Sequence, residues 1–270
     1  MRVGIIGQIF RVRASRSTRL HPVMEAMERR QLLATFHVSS TADDGSVGTL
    51  RWAIEQANQD QSLDTIDFTI AGNVVHTIRL ASQLPSLTTP ALIDGTTQAG
   101  YAGSPLIELD GSSLPRDSDG LTLSSGFSSI RGLAINGFSG AAIILANGDQ
   151  NLLANNVIGA DPTGQTAKPN GVGILISGSS RNTIGGDTGS SGNLISGNLT
   201  NGIAIASNIL SSQNVIQGNR IGTDSTGRRA LPNRQNGIYL DHSSKNLIGG
   251  TIPASANIIS GNGGGGILIK

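Results

Sequence analysis

The second half of the chain says nearly the same thing twice, and this constrains the fold more than any other feature. Asn156-Val157-Ile158-Gly159-Ala160-Asp161-Pro162-Thr163-Gly164 returns 63 residues later as Asn219-Arg220-Ile221-Gly222-Thr223-Asp224-Ser225-Thr226-Gly227. The offset becomes 64 at Asn182-Thr183-Ile184-Gly185-Gly186, matched by Asn246-Leu247-Ile248-Gly249-Gly250. Short apolar runs recur about 30 residues apart, at 143–145, 174–176, 203–205, 238–240 and 267–269. Asn-x-Ile runs begin at Asn182, Asn193, Asn214, Asn246 and Asn257. Two or three strands of three to five residues therefore fill each turn. None of these segments has the length or the 3.6 period of a helix. Short β-branched strands punctuated by Gly and Asn at near-fixed spacing describe a solenoid of parallel strands.

A single turn cannot bury its own apolar residues, so stacked turns must close the core, with Ile, Leu and Val pointing inward. Asn at one corner of successive turns is expected to hydrogen-bond its neighbours above and below. Asn and Gly also tolerate the left-handed backbone of sharp corners. Two insertions lengthen alternate turns: the Asp-x-Thr-Gly loops at 159–170 and 222–236, and the Gly-Gly loops at 185–192 and 249–256. Each kind is expected to recur on one side of the column.

Composition agrees with small-residue corners around an aliphatic core: 37 Gly, 3% aromatic and 14% charged residues. With no Cys, disulfides, thiolate metal sites and a Cys nucleophile are excluded. No run approaches the roughly 20 apolar residues of a membrane helix. Aromatic residues are too few for a base-stacking nucleic-acid surface. Charge is uneven. Residues 37–150 hold twelve acids and four bases, residues 151–270 eight bases and four acids. That excess reads first as a solvated surface and secondly as a mild preference for anionic polymers.

Residues 1–36 read as a leader or targeting region, and 37–270 as the parallel solenoid domain. Within it, 37–64 forms an N-terminal cap, 65–150 irregular early turns and 151–270 the regular repeats. The leader carries seven Arg and two Glu. Its stretch Met27 to Leu33 resembles the L-E-P-R-x-L-L motif near the N-terminus of many large bacterial exported proteins. Glu28, Arg30, Leu32 and Leu33 match, while Met27 and Arg29 replace Leu and Pro. The cap predicts a strand, a polar turn at Thr41–Ser46 and a helix burying Leu50, Ala53, Ile54 and Ala57. Trp52 reads as a packing residue. Strands are predicted at 66–70, 76–80, 92–94, 106–109, 121–123 and 130–135.

Val38 to Gly45, Gly48 to Asn58, Ile93 to Tyr101 and Pro105 to Gly111 resemble the opening of bacterial right-handed parallel β-helix surface and exported proteins. These belong to the pectate-lyase-like superfamily, and the repeats from 156 onward continue their pattern. The resemblance implies an all-β right-handed parallel β-helix with a short capping helix. It also implies a secreted or cell-surface location and a structural, adhesive or carbohydrate-binding role, with a polysaccharide or cell-surface component as partner. The chain stops at Lys270 directly after Gly-Ile-Leu-Ile. This reads as a piece of a longer protein, or as an edge that stacks end to end on a partner.

Glycoside hydrolysis needs two carboxylates facing one sugar bond. Asp161 with Thr163 and Asp224 with Thr226 recur on one face, and they are the candidate ligand contacts. Both aspartates also read as acceptors within their turns. Ile238-Tyr239-Leu240-Asp241-His242 resembles the Trp-Ile-Asp-His segment of pectate lyases, which makes Asp241 and His242 the catalytic candidates for an alternative reading as a lyase or glycosidase of acidic polysaccharide. The partner motif Arg-x-Pro-x-x-Arg of that family is not found. Asp117 and Asp119 in Pro115–Gly120 are the candidate calcium ligands, oxygen donors suited to a hard cation.

Overall fold

The computed structural model describes residues 33–206 and 211–270. Nearly all of the expected leader, including Met27 to Leu32 of its motif, lies outside those residues. Thr35 and Phe36, at the leader's expected end, belong to the first strand. The chain opens with β1 (Thr35–Val38) and α1 (Leu50–Ala57), then coils through seven turns. The first holds β2 (Asp64–Phe68) and β3 (His76–Arg79), and the second β4 (Ala91–Asp94), β5 (Ile107–Asp110) and β6 (Leu121–Leu123). The third holds β7 (Ser129–Arg131), β8 (Leu133–Asn136) and β9 (Ala141–Ala146), the fourth β10 (Leu152–Ala154), β11 (Val157–Ile158) and β12 (Val172–Ser177). The fifth holds β13 (Thr183–Gly185), β14 (Leu194–Ile195) and β15 (Ile203–Ala206), the sixth β16 (Val215–Gln217), β17 (Arg220–Ile221) and β18 (Ile238–Asp241). The seventh holds β19 (Leu247–Ile248), β20 (Ile258–Ile259) and β21 (Ile267–Ile269).

Every strand pairs in parallel with its counterpart one turn away, giving three sheets that run the length of the column. Sheet A is β1-β2-β4-β7-β10-β13-β16-β19, sheet B is β3-β5-β8-β11-β14-β17-β20 and sheet C is β6-β9-β12-β15-β18-β21. This is the parallel β-helix. The register stacks like on like along the interior. In sheet A the inward column reads Ile66, Ile93, Ile130, Leu153, Ile184, Ile216, Ile248. In sheet B it reads Ile78, Leu109, Ile135, Ile158, Ile195, Ile221, Ile259. Each fully buried Ile or Leu contributes about 1.5–3 kcal/mol, and β-branched chains suit the pleated surface.

The predicted strand at 130–135 is two strands. Gly132 between them adopts φ +73° and turns the chain from sheet A into sheet B. Its Cβ, if present, would lie 2.8 Å from Thr96 N. Alternation reads straight through this corner because the residues on both sides point inward.

All three corners of the regular turns carry an Asn ladder. Asn151, Asn182, Asn214 and Asn246 link through Nδ2 to Oδ1 bonds of 2.8–3.1 Å before sheet A. Asn156, Asn193, Asn219 and Asn257 do so between sheets A and B. Asn170, Asn198, Asn233 and Asn262 do so between sheets B and C. In the third turn these positions hold Ser128, Leu133 and Phe138, whose N–H groups donate to Asn151, Asn156 and Asn170. The ladders therefore begin in the fourth turn, at Asn151, Asn156 and Asn170.

Helix α1 buries Leu50, Ala53, Ile54 and Ala57. Thr49 caps it, accepting from Trp52 N. Trp52 packs edge-on against Phe36, ring centroids 5.8 Å apart. Arg51 forks onto Asp43 at 2.9 and 2.8 Å and donates to the carbonyls of Ser82 and Gln83, tying the helix to the first turn. No helix among the described residues is long and apolar enough to cross a membrane.

Candidate functional site

Both kinds of insertion recur at fixed corners. The Asp-x-Thr-Gly loops join sheet B to sheet C in the fourth and sixth turns, and the Gly-Gly loops join sheet A to sheet B in the fifth and seventh. Gly159 and Gly222 start the former, each at φ +88°. A Cβ on Gly159 would come 2.3 Å from Ser196 O, so the launch point requires glycine.

Within the loops the aspartates are already occupied. Asp161 accepts from Thr163 Oγ1 (2.6 Å), Gln165 N (2.9 Å) and Thr166 N (2.7 Å). Asp224 accepts from Thr226 Oγ1 (2.7 Å), Thr226 N (3.1 Å) and Arg229 Nε (2.8 Å). Burial pushes the Asp161 carboxyl up, but the Thr163 hydroxyl and the turn amides outweigh it and hold it below the usual range. The hydroxyl of Thr226, then Arg229, does the same for Asp224 more strongly. These carboxylates are turn acceptors, and neither offers a free oxygen pair to a substrate. The two loops also hold each other. Ser225 N donates to Gly164 O (2.9 Å), Gln165 Nε2 to Ser225 Oγ (2.6 Å), and Arg229 to Gln165 Oε1.

The outward face of sheet B is the floor between the two insertion types. Its column in register reads Thr77, Glu108, Ala134, Val157, Leu194, Arg220, Ile258. Ala134, Val157, Ala160 and Leu194 make a small buried cluster under the loops, with Leu231 against it. Over Val157 and Leu194 of this cluster lies a groove of about 400 Å³. Gly103–Pro105 with Gly189, Ser190 and Gly192 wall one side, Pro162, Thr163 and Ser225 the other, and Arg220 lies on the floor. The lining is mostly hydroxyls, amides and backbone, with Val157 and Leu194 as apolar patches, one cation and no carboxylate. Thr163 is the sequence candidate that reaches this groove. Compared with models of known protein families and with curated protein sequences, the chain matches none.

Asp241 and His242 are on another side of the column. Asp241 ends β18 in sheet C, where its register partner is Ala206. Tyr239 Oη donates to Asp241 Oδ2 (2.9 Å), and His242 Nδ1 lies 2.6 Å from Oδ1. The Tyr239 hydrogen bond, more than His242, holds the Asp241 carboxyl below its ordinary range. Lys270 Nζ sits 5.6 Å from the Tyr239 ring centroid. No second carboxylate faces Asp241 along its register column, which holds Ala146, Ser177 and Ala206. Asp119 Oδ1 accepts from Ala141 N at 2.7 Å and so caps β9, while Asp117 is exposed at φ +62°. Among the described residues no three His, Cys, Asp or Glu side chains assemble around a common point.

Arg220 and the groove were not read from the sequence. Arg220 replaces Val157 of the first copy, and a charge at an otherwise apolar repeat position was the available signal.

Proposed function

We propose that this is an exported or cell-surface β-helix protein that binds an extended, acidic polysaccharide along the outer face of sheet B. The groove carries the proposal. It runs along the column, so a linear polymer laid in it meets a new strand every ~4.8 Å. Its hydroxyl and amide lining suits neutral hydroxyl groups, and Arg220 suits a carboxylate or sulfate. The absence of a carboxylate from the lining favours binding over glycosidic cleavage, which needs an acid at the sugar bond. Asp241 and His242, on sheet C, do not line this groove, so the lyase alternative has no support from it.

The test is retention of the folded full chain on a panel of acidic and neutral polysaccharides, with reducing-end release followed in parallel. Retention by an acidic polymer should weaken about tenfold in Arg220→Ala, the size of one charge-assisted hydrogen bond. Retention of nothing, or retention indifferent to Arg220→Ala and Thr163→Val, would discard the groove. Reducing-end release lost in Asp241→Ala would make the protein an enzyme.

A further inference from the structure

Glu108, Asn136 and Lys168 meet on the outer face of sheet B, away from the groove lining. Glu108 stands on β5 and Asn136 on β8, diagonal neighbours, since Glu108 pairs with Ala134 and Asp110 with Asn136. Lys168 comes from the first Asp-x-Thr-Gly loop. Its N–H donates to Gly159 O at 2.9 Å, next to the strand that pairs with β8. Its side chain reaches back across the third turn, and Nζ donates to Glu108 Oε1 at 2.6 Å. Asn136 Nδ2 donates to that same oxygen at 2.9 Å. One carboxylate oxygen thus holds an amine and a carboxamide side by side. Thr77 Oγ1 fixes the other oxygen at 2.7 Å. Glu108 is 3% and Asn136 1% exposed. The Lys168 side chain keeps 45% of its surface, which leaves a small leaving group a way out. In the second copy of the repeat Leu231 replaces Lys168 and packs on the apolar cluster. The loop fold therefore does not require the lysine.

We infer that Lys168 and Asn136 join in an intramolecular isopeptide bond, with Glu108 as the general acid–base. Burial weakens the preference for a charged pair over a neutral one. Glu108 takes a proton from Lys168, and the amine lone pair attacks Asn136 Cγ as the carbonyl π pair moves onto oxygen. Glu108 then gives its proton to Nδ2 and takes another from Nζ. The oxygen pair re-forms the carbonyl and expels ammonia. One Nζ–Cγ bond forms, one Cγ–Nδ2 bond breaks, and no oxidant or reductant is involved. Burial pushes Glu108 up, but Lys168, Thr77 and Asn136 together hold it below the usual carboxylate range. The neutral pair is thus a minor form, and the reaction is slow and happens once per molecule. The product ties the fourth-turn loop covalently to the third turn.

Intact-mass and peptide mapping of the purified full chain tests this. The folded protein should be lighter than its sequence by one ammonia, with a branched peptide joining Asn136 to Lys168. Glu108→Gln should restore the full mass. Asn136 precedes Gly137, and cyclisation at such a pair also releases ammonia. Lys168→Arg separates the two: it keeps a cation beside Glu108 but cannot form the bond, so its mass should be full. A deficit that persists in Lys168→Arg overturns the inference. So does a folded wild-type protein of full sequence mass, an outcome that does not depend on any variant folding.

Discussion

Asn193 shows how one corner residue is fixed. It accepts from Asn156 N (3.0 Å) and Asn156 Nδ2 (3.1 Å), and donates to Leu153 O (2.8 Å) and Asn219 Oδ1 (3.0 Å). Asn193→Ala orphans the buried Asn156 N–H and one N–H of Asn156 Nδ2, whose other N–H keeps Ile130 O, while Asn219 Oδ1 keeps the backbone N–H of residue 193. At about 1–3 kcal/mol for each orphaned group, with partial relaxation, the expected loss is on the order of 3 kcal/mol in a denaturant titration. A loss under about 0.5 kcal/mol would mean the ladder bonds are replaced by water. Ile195, between Ile158 and Ile221 in the inward column, is fully buried. Ile195→Asp places an unpaired charge there and should abolish folding; a folded, soluble variant would show the register to be wrong. The Asn-x-Ile runs made the inward Ile and part of the ladder legible. The third ladder was not read, because Asn170, Asn198, Asn233 and Asn262 are not followed by a regular apolar residue.

At the scale of elements, charged pairs bind one turn to another. Helix α1 is fastened by Arg51 to Asp43, whose side chain is only 2% exposed. Arg51→Ala removes the counter-charge of that carboxylate and leaves it Ala81 N as a donor, and the expected cost is about 3–5 kcal/mol, read as a shift in the denaturant midpoint. The second turn is the acidic hub. Asp94 pairs with Arg131 of the third turn at 2.5 Å, Glu108 with Lys168 of the fourth at 2.6 Å, and Asp110 with Arg79 of the first at 3.2 Å. Burial raises the Asp94 and Asp110 carboxyls, but hydrogen bonds and the paired arginines outweigh it and lower both. A depressed folded value means the stabilisation is complete above the ordinary carboxylate pKa of about 4. It is lost as pH falls through the depressed values. Thermal melts from neutral to strongly acid pH should hold level and then drop below about pH 4, and replacing Asp94 and Asp110 by Asn should flatten that drop. A melting temperature that falls equally in the amide variant would assign the acid sensitivity elsewhere. These pairings join residues 31–60 positions apart, so the sequence showed an acid-rich region but not its partners.

For the whole molecule, stability is a sum of turns and the interfaces between them. Turns three to five pair on both sides, whereas β19, β20 and β21 pair on one side in this chain. Amide exchange should therefore be slowest in β12 and β15 and fastest in β21. Uniform protection would mean that the column opens only as one unit. The sequence by itself determined the coil: its period, the inward aliphatic positions and the corners that receive each insertion. These follow from local rules, because every turn repeats the same alternation and the same Gly and Asn corners, and like side chains then stack on like. Tertiary structure alone decided what lies between the insertions. The groove, the mutual bonds of the two loops and the meeting of Glu108, Asn136 and Lys168 depend on how far each loop folds down over sheet B. That is set by packing against residues one or two turns away, which a chain read residue by residue does not bring together.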